Sequence, residues 1–103
     1  MYGTVARMRP IPGHIDQLIE LSEQWKRETA PEVKGFIGEY VYQLDENPDE
    51  YLMVVIFSDK ETYFANANDP QQDRWYRQIR EHLQSDPGWQ DGEIVYSSME
   101  AQV

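Results

Sequence analysis

Along residues 2–9 the side chains alternate, with Tyr2, Thr4, Ala6 and Met8 on one face and Val5, Arg7 and Arg9 on the other, which predicts a strand. The segment PIPG ends it, and Gly13 opens a helix from about His14 to Thr29. Ile15, Leu18, Ile19, Ser22 and Trp25 fall on one face of that helix, while Asp16, Glu20, Glu23 and Arg27 point elsewhere. Pro31 stops it. In GFIGEYVYQL, Phe36, Tyr40, Tyr42 and Leu44 alternate with Ile37, Glu39, Val41 and Gln43. The turn DENPDE joins this strand to YLMVVIF, residues 51–57, as an antiparallel hairpin.

Ser58 and Glu61 stand at capping-box spacing, so a short helix should run to about Ala67. Asp69 before Pro70, with Gln72 again at that spacing, opens a helix to about Ser85. Trp75, Tyr76, Ile79 and Leu83 share its apolar face. SDPGWQDG then reads as a loop and EIVYSSM, residues 93–99, as the last strand. The βαββαβ order favours an antiparallel α+β sheet with helices on one face.

One strand does not fit a singly covered sheet. Such a strand should alternate apolar and polar residues, yet in YLMVVIF both Leu52, Val54, Ile56 and Met53, Val55, Phe57 are apolar. The helices of a small chain cover one face, and a second copy is the simplest cover for the other. A homodimer packed through the sheet face is therefore expected, with a cavity between the sheets.

Composition narrows the partners. Nineteen acidic and nine basic residues give the 103-residue chain a net charge of −10, which argues against nucleic acid and anionic membranes. The absence of cysteine excludes disulfides, thiolate metal sites and thiol catalysis. MYGTVARMRP lacks an apolar signal core, and no apolar run approaches the ~20 residues that span a bilayer. One cytoplasmic domain, residues 1–103, is expected.

Five features, in this order along nearly the whole chain, resemble the antibiotic biosynthesis monooxygenase family of the dimeric α/β-barrel superfamily. They are Pro12-Gly13 opening the first helix, Gly35-Phe36 opening the second strand, the DENPDE turn, the FSDKETY strand-to-helix join, and Pro70 opening the last helix. The resemblance implies a ferredoxin-like protomer, two of which close a dimeric α/β barrel. Relatives in that family include oxygenases that oxidise anthrone- or quinol-type aromatics with dioxygen and no prosthetic group, others that bind or degrade haem, and many members of unknown function. Many quinol-oxidising relatives carry a Glu where this chain has Val55, and a His where it has Asn66. Haem-degrading relatives imply an Asn on the first strand, which is absent, and an iron-binding His on the last helix, where His82 lies at the margin of the apolar face. Haem degradation is disfavoured.

Tyr40 and Tyr42, on the face assigned to Phe36, are the preferred pocket residues, their hydroxyls placed to orient a phenolic or quinone oxygen. Phe57, Asn66 and Trp75 complete the expected substrate-binding set, and His14, Tyr40 and Tyr42 are the weak catalytic candidates. Each has a structural reading beside it: barrel wall or dimer contact for the tyrosines, helix packing for Trp75 and Tyr76, loop hydrogen bonding for Asn66 and Asn68, and a solvated first turn for His14. Arg7 and Arg9 read as surface ion pairs, and the acidic run at Asp45, Glu46, Asp49 and Glu50 as a solvated turn. No metal or other cofactor is expected. Two functions follow: a cofactor-independent monooxygenase of a small aromatic, quinol or polyketide-like substrate in a barrel cavity, or a non-catalytic small-molecule binding or interaction protein of the same fold.

Overall fold

Strand pairing sets the frame. The structure, a computed structural model, describes residues 1–99. β1 (Tyr2–Met8), β2 (Phe36–Gln43), β3 (Tyr51–Phe57) and β4 (Gly88–Glu93) form one antiparallel sheet in the order β2-β3-β1-β4. The central pair runs from Tyr2 opposite Phe57 to Met8 opposite Tyr51. Three helices, α1 (Ile15–Glu28), α2 (Lys60–Ala67) and α3 (Pro70–Arg80), lie on one face. This is the expected ferredoxin-like α+β protomer. Between sheet and helices Ala6, Met8 and Met53 pack with Leu18, Ile79 and Leu83, all buried. Removing each large apolar side chain from water contributes roughly 1.5–3 kcal/mol.

Gly13 and Gly35 both have φ of 82°, a conformation that costs a residue with a Cβ. Gly13 turns the chain into α1, and Gly35 turns it into β2. At Gly35 a Cβ would also strike the side chains of Thr62 and Ser58. The helix starts differ slightly from their sequence signals. The N–H of Ser58 is taken by the Gly35 carbonyl at 2.7 Å, so Asp59 caps α2 instead, accepting from the Thr62 N–H at 2.8 Å. Asp69 caps α3 as expected, through the Gln71 N–H. α3 ends at Arg80, earlier than Ser85, because the following residues are drawn to the exit of β1: Ile11 N–H donates to the His82 carbonyl and Gln84 N–H to the Arg9 carbonyl, both at 2.9 Å.

Two strand expectations are corrected. The last strand is Gly88–Glu93, within the stretch that reads as a loop, while Val95 and Tyr96 in the expected strand are 92% and 79% exposed. Two glycines give β4 little intrinsic strand preference. Its pairing with β1, Thr4 opposite Asp91 and Gly3 opposite Gly92, decides the matter. The second correction is a bulge in β2. Phe36 lies opposite Phe57 but Gly38 lies opposite Ile56, so Ile37 is the extra residue. Beyond it the faces exchange. Glu39 and Val41 join Phe36 on the helix side, and Tyr40 and Tyr42 turn to the open side, 52% and 53% exposed.

The open face carries Val5, Val54 and Leu52 beside those tyrosines. At its end Arg7 and Arg9 donate to the two carboxylate oxygens of buried Glu50, at 2.5 and 2.6 Å. The acidic turn is thus solvated except for its last residue, whose carboxyl is held below the usual range first by Arg9 and then by Arg7. No helix among the described residues is long and apolar enough to cross a membrane.

Candidate functional site

The register aligns one residue from each strand into a row on the helix-covered face: Glu39 on β2, Val55 on β3, Thr4 on β1 and Asp91 on β4. The rows on either side are mostly apolar, Phe36, Phe57 and Tyr2 in one and Val41, Met53, Ala6 and Trp89 in the other. The bulge at Ile37 brings a carboxylate into this row. A strand without it would place Gly38 there, opposite Val55, and turn Glu39 to the open face.

Helices roof the row. The Trp25 indole N–H donates to Gln72 Oε1 at 2.8 Å, and the Trp75 indole N–H donates to the Leu21 carbonyl at 3.1 Å. These bonds tie α1 to α3 and fix both rings, whose centroids lie 6.1 Å apart. Trp25 meets the Phe36 ring edge-on at 4.9 Å. Between floor and roof lies a cleft of about 340 Å³, within the range of roughly 300–1,000 Å³ for small-molecule sites. A second cleft of about 260 Å³ adjoins it along Met53, Trp75 and Tyr76, and Glu39 borders both.

Polar groups are few and specific. Among the described residues the Thr4 hydroxyl, in a residue only 4% exposed, makes no well-formed hydrogen bond, although the Tyr63 hydroxyl lies beside it. Leaving such a group unmatched is unfavourable, which makes it a candidate ligand contact. The Tyr63 hydroxyl donates to Asp91 at 2.9 Å, and its pKa is pushed up to about 12 by burial and then by that carboxylate. Burial likewise pushes the Glu39 carboxyl above its ordinary value. Asn66 sits in the last turn of α2, rather than in a helix-joining loop, and lines the cleft. Its side-chain amide makes no hydrogen bond among the described residues.

Phe57, Asn66 and Trp75 of the expected set therefore meet at one cleft. Tyr40 and Tyr42 do not, since they occupy the opposite face of the sheet. His14 is remote as well. It stands at the start of α1 without capping it, its Nδ1 3.0 Å from Nδ1 of His82. Glu39, Thr4, Trp25, Tyr63 and Asp91 escaped the sequence reading. Gly38 inside an apolar strand pattern was the signal for the first of these, because an interior glycine often marks a bulge.

The cleft lies within the protomer, between sheet and helices, whereas the expected barrel cavity lies between the sheets of two protomers. Among the described residues no cluster of three or more His, Asp or Glu side chains is arranged to hold a metal ion.

Comparison with known proteins places this geometry. Residues 1–78 match the family model described as antibiotic biosynthesis monooxygenase. No functionally curated protein matches the chain. Among solved structures, a conserved protein from Methanosarcina mazei Go1 superposes with a TM-score of 0.74 at 20% identity, over 88% of this chain and 89% of that one. A structure named antibiotic biosynthesis monooxygenase gives 0.71 at 14% identity, over 93% and 100% of the two chains. A protein from Chloroflexus aurantiacus J-10-fl, provisionally given the same name, gives 0.71 at 21%, over 95% and 96%. Likeness at these identities establishes the shared fold.

Proposed function

This chain belongs to the antibiotic biosynthesis monooxygenase family, and from that premise we propose that it is a cofactor-independent monooxygenase of a small aromatic, quinol or polyketide-like substrate. The observation that carries the reading is the cleft itself. It has aromatic walls at Trp25, Phe36, Phe57 and Trp75, and it holds two polar groups that make no well-formed hydrogen bond among the described residues, the buried Thr4 hydroxyl and the half-buried Asn66 amide. A flat apolar ring suits the walls, and an oxygen on that ring suits the polar groups. In such a reaction the substrate, once deprotonated, supplies the electrons that reduce dioxygen, and the protein contributes position, a proton acceptor and donors toward the developing anion.

The open face supports a homodimer. Val5, Leu52, Val54, Tyr40 and Tyr42 form one apolar and aromatic patch across three strands, and Val95, Tyr96 and Met99 extend from β4 without cover. Patches of this kind mark association surfaces.

A second reading, a non-catalytic small-molecule binder, is favoured by Val55 and Asn66, which stand where many quinol-oxidising relatives carry ionisable residues. Oxygen uptake separates the two. Purified protein without added metal or flavin, mixed with anthrones and reduced quinones, is expected to consume oxygen above autoxidation and release an oxygenated product. Saturable binding of the same compounds without uptake would leave the binder.

A further inference from the structure

We propose that Glu39 is the proton acceptor of the cleft and that the substrate is an uncharged aromatic carbon or oxygen acid. The proposal rests on the monooxygenase reading for its chemistry and on the geometry of β2 for its residue.

The bulge at Ile37 sets the face of Glu39, and its strand partner is the apolar Val55. The carboxylate borders both clefts and has neither an ion pair nor a hydrogen bond among the described residues. Burial disfavours its charged form, so it holds a proton more readily than an exposed carboxylate, as a general base requires.

The other titratable groups around it are less suited. Tyr63 from α2 has a pKa pushed up to about 12, and Tyr76 from α3 is raised by burial as well. Asp91 from β4 is exposed and accepts the Tyr63 hydroxyl. Asp73 from α3 is exposed and pairs with Arg77 at 3.0 Å, and Glu23 from α1 is exposed.

The same inventory defines the substrate. Among the described residues no Lys, Arg or His lines either cleft, while Glu39, Asp73 and Asp91 line the larger and Glu23 and Glu39 the smaller. A substrate already bearing a carboxylate or phosphate would meet Glu39, Asp73 and Asp91 in the larger cleft, or Glu23 and Glu39 in the adjoining one, with no cation in either lining. A neutral ring avoids that repulsion and becomes anionic only during the reaction. The anion would then be met by the Asn66 amide, the Thr4 hydroxyl and the amide nitrogen of Gln72, whose carbonyl is held by Trp25.

In the proton step Glu39 takes H⁺ from a ring C–H, and the bonding electron pair stays on the substrate as a delocalised carbanion that donates electrons to dioxygen. Over one turnover a CH₂ group and O₂ become C=O and H₂O. Two of the four electrons lost by carbon reduce the oxygen that is kept, and two reduce the oxygen released. The proton held by Glu39 leaves in the water.

The test uses anthrone, a neutral carbon acid, with the full chain in deuterated buffer under strict exclusion of oxygen. Wild-type protein is expected to accelerate C–H to C–D exchange saturably. Glu39→Gln should bind anthrone, read by tryptophan fluorescence, yet lose on the order of 100-fold or more of that acceleration. Glu39→Asp should fall between them, and an anthrone carboxylate should bind wild type at least about tenfold more weakly than anthrone. Exchange at the wild-type rate in Glu39→Gln overturns the assignment, as does absence of exchange with bound anthrone. Absence of anthrone binding overturns the substrate class. Anaerobic exchange without oxygen uptake in air would uphold Glu39 and remove the monooxygenase reading. Uptake without dependence on Glu39 would do the reverse.

Discussion

On the covered face of the sheet Glu39 looks into an aromatic cleft lined by no cation among the described residues, whereas at the end of the open face Glu50 lies between the guanidinium groups of Arg7 and Arg9. Both carboxylates leave bulk water, but only one is compensated. Pairing keeps Glu50 ionised and makes it a structural element, while desolvation without a partner raises the proton affinity of Glu39. Apolar residues divide between the same faces: those of the covered side surround a cleft, and those of the open side form a flat patch suited to a second protomer. Arg7 and Arg9 lie at the open side with Glu50, whereas the charged side chains lining the cleft among the described residues are all acids.

Disrupting the open face should have the largest effect. Val54 lies at its centre, between Val5 and Tyr40. Val54→Asp would bury an unpaired charge in the proposed dimer, so sedimentation should change from dimer to monomer with helical circular dichroism unchanged. A wild-type chain that sediments as a monomer at micromolar concentration would remove the dimer altogether. On the covered side, Phe57 is 1% exposed and meets Phe36 and Tyr63 edge-on. Phe57→Ala should cost about 3–5 kcal/mol in urea unfolding; a loss below 1 kcal/mol would contradict its place in the cleft wall.

The two glutamates should have opposite pH signatures. For Glu50, with a lowered folded pKa, the stabilisation is present above the ordinary carboxylate range and is lost as pH falls through the folded value. Glu50→Gln should therefore lower the melting temperature at pH 7, with the difference closing in acid. For Glu39, with a raised folded pKa, both states are protonated in acid and the cost of charge grows as pH rises through the folded value. Glu39→Gln should raise the melting temperature at pH 7, with the gain vanishing near pH 4. Melting curves of both variants that move in the same direction would erase the electrostatic contrast.

The smallest effect is expected at the tyrosines. Tyr40→Phe and Tyr42→Phe should leave turnover at the wild-type level, since both side chains lie across the sheet from the cleft. A large loss would return them to the site.

Much of the fold was legible because its signals are local. Pro70 after Asp69, the positive-φ glycines and the wholly apolar YLMVVIF each report on their own neighbourhood. The misread features depend on distant partners. β4 is a strand because β1 pairs with it, against the preference of its own glycines and aspartate. The face of Glu39 depends on how Ile37 is accommodated opposite β3, which strict alternation from Phe36 cannot convey. Phe57, Asn66 and Trp75 were found at the cleft because apolar patterning and helix joins brought them near it. Thr4 and Asp91 needed the strand register, which no short sequence window contains.

Whether ligands enter the cleft between sheet and helices, instead of the patch on the open face, is best decided by an NMR titration of the ¹⁵N-labelled protein with anthrone. The expected result is saturable movement of the Trp25 and Trp75 indole N–H signals and of the Asn66 side-chain amide, with the Tyr40, Tyr42 and Val54 amides unmoved. Movement confined to Tyr40, Tyr42 and Val54, with both indoles unchanged, would contradict a functional site on the covered face.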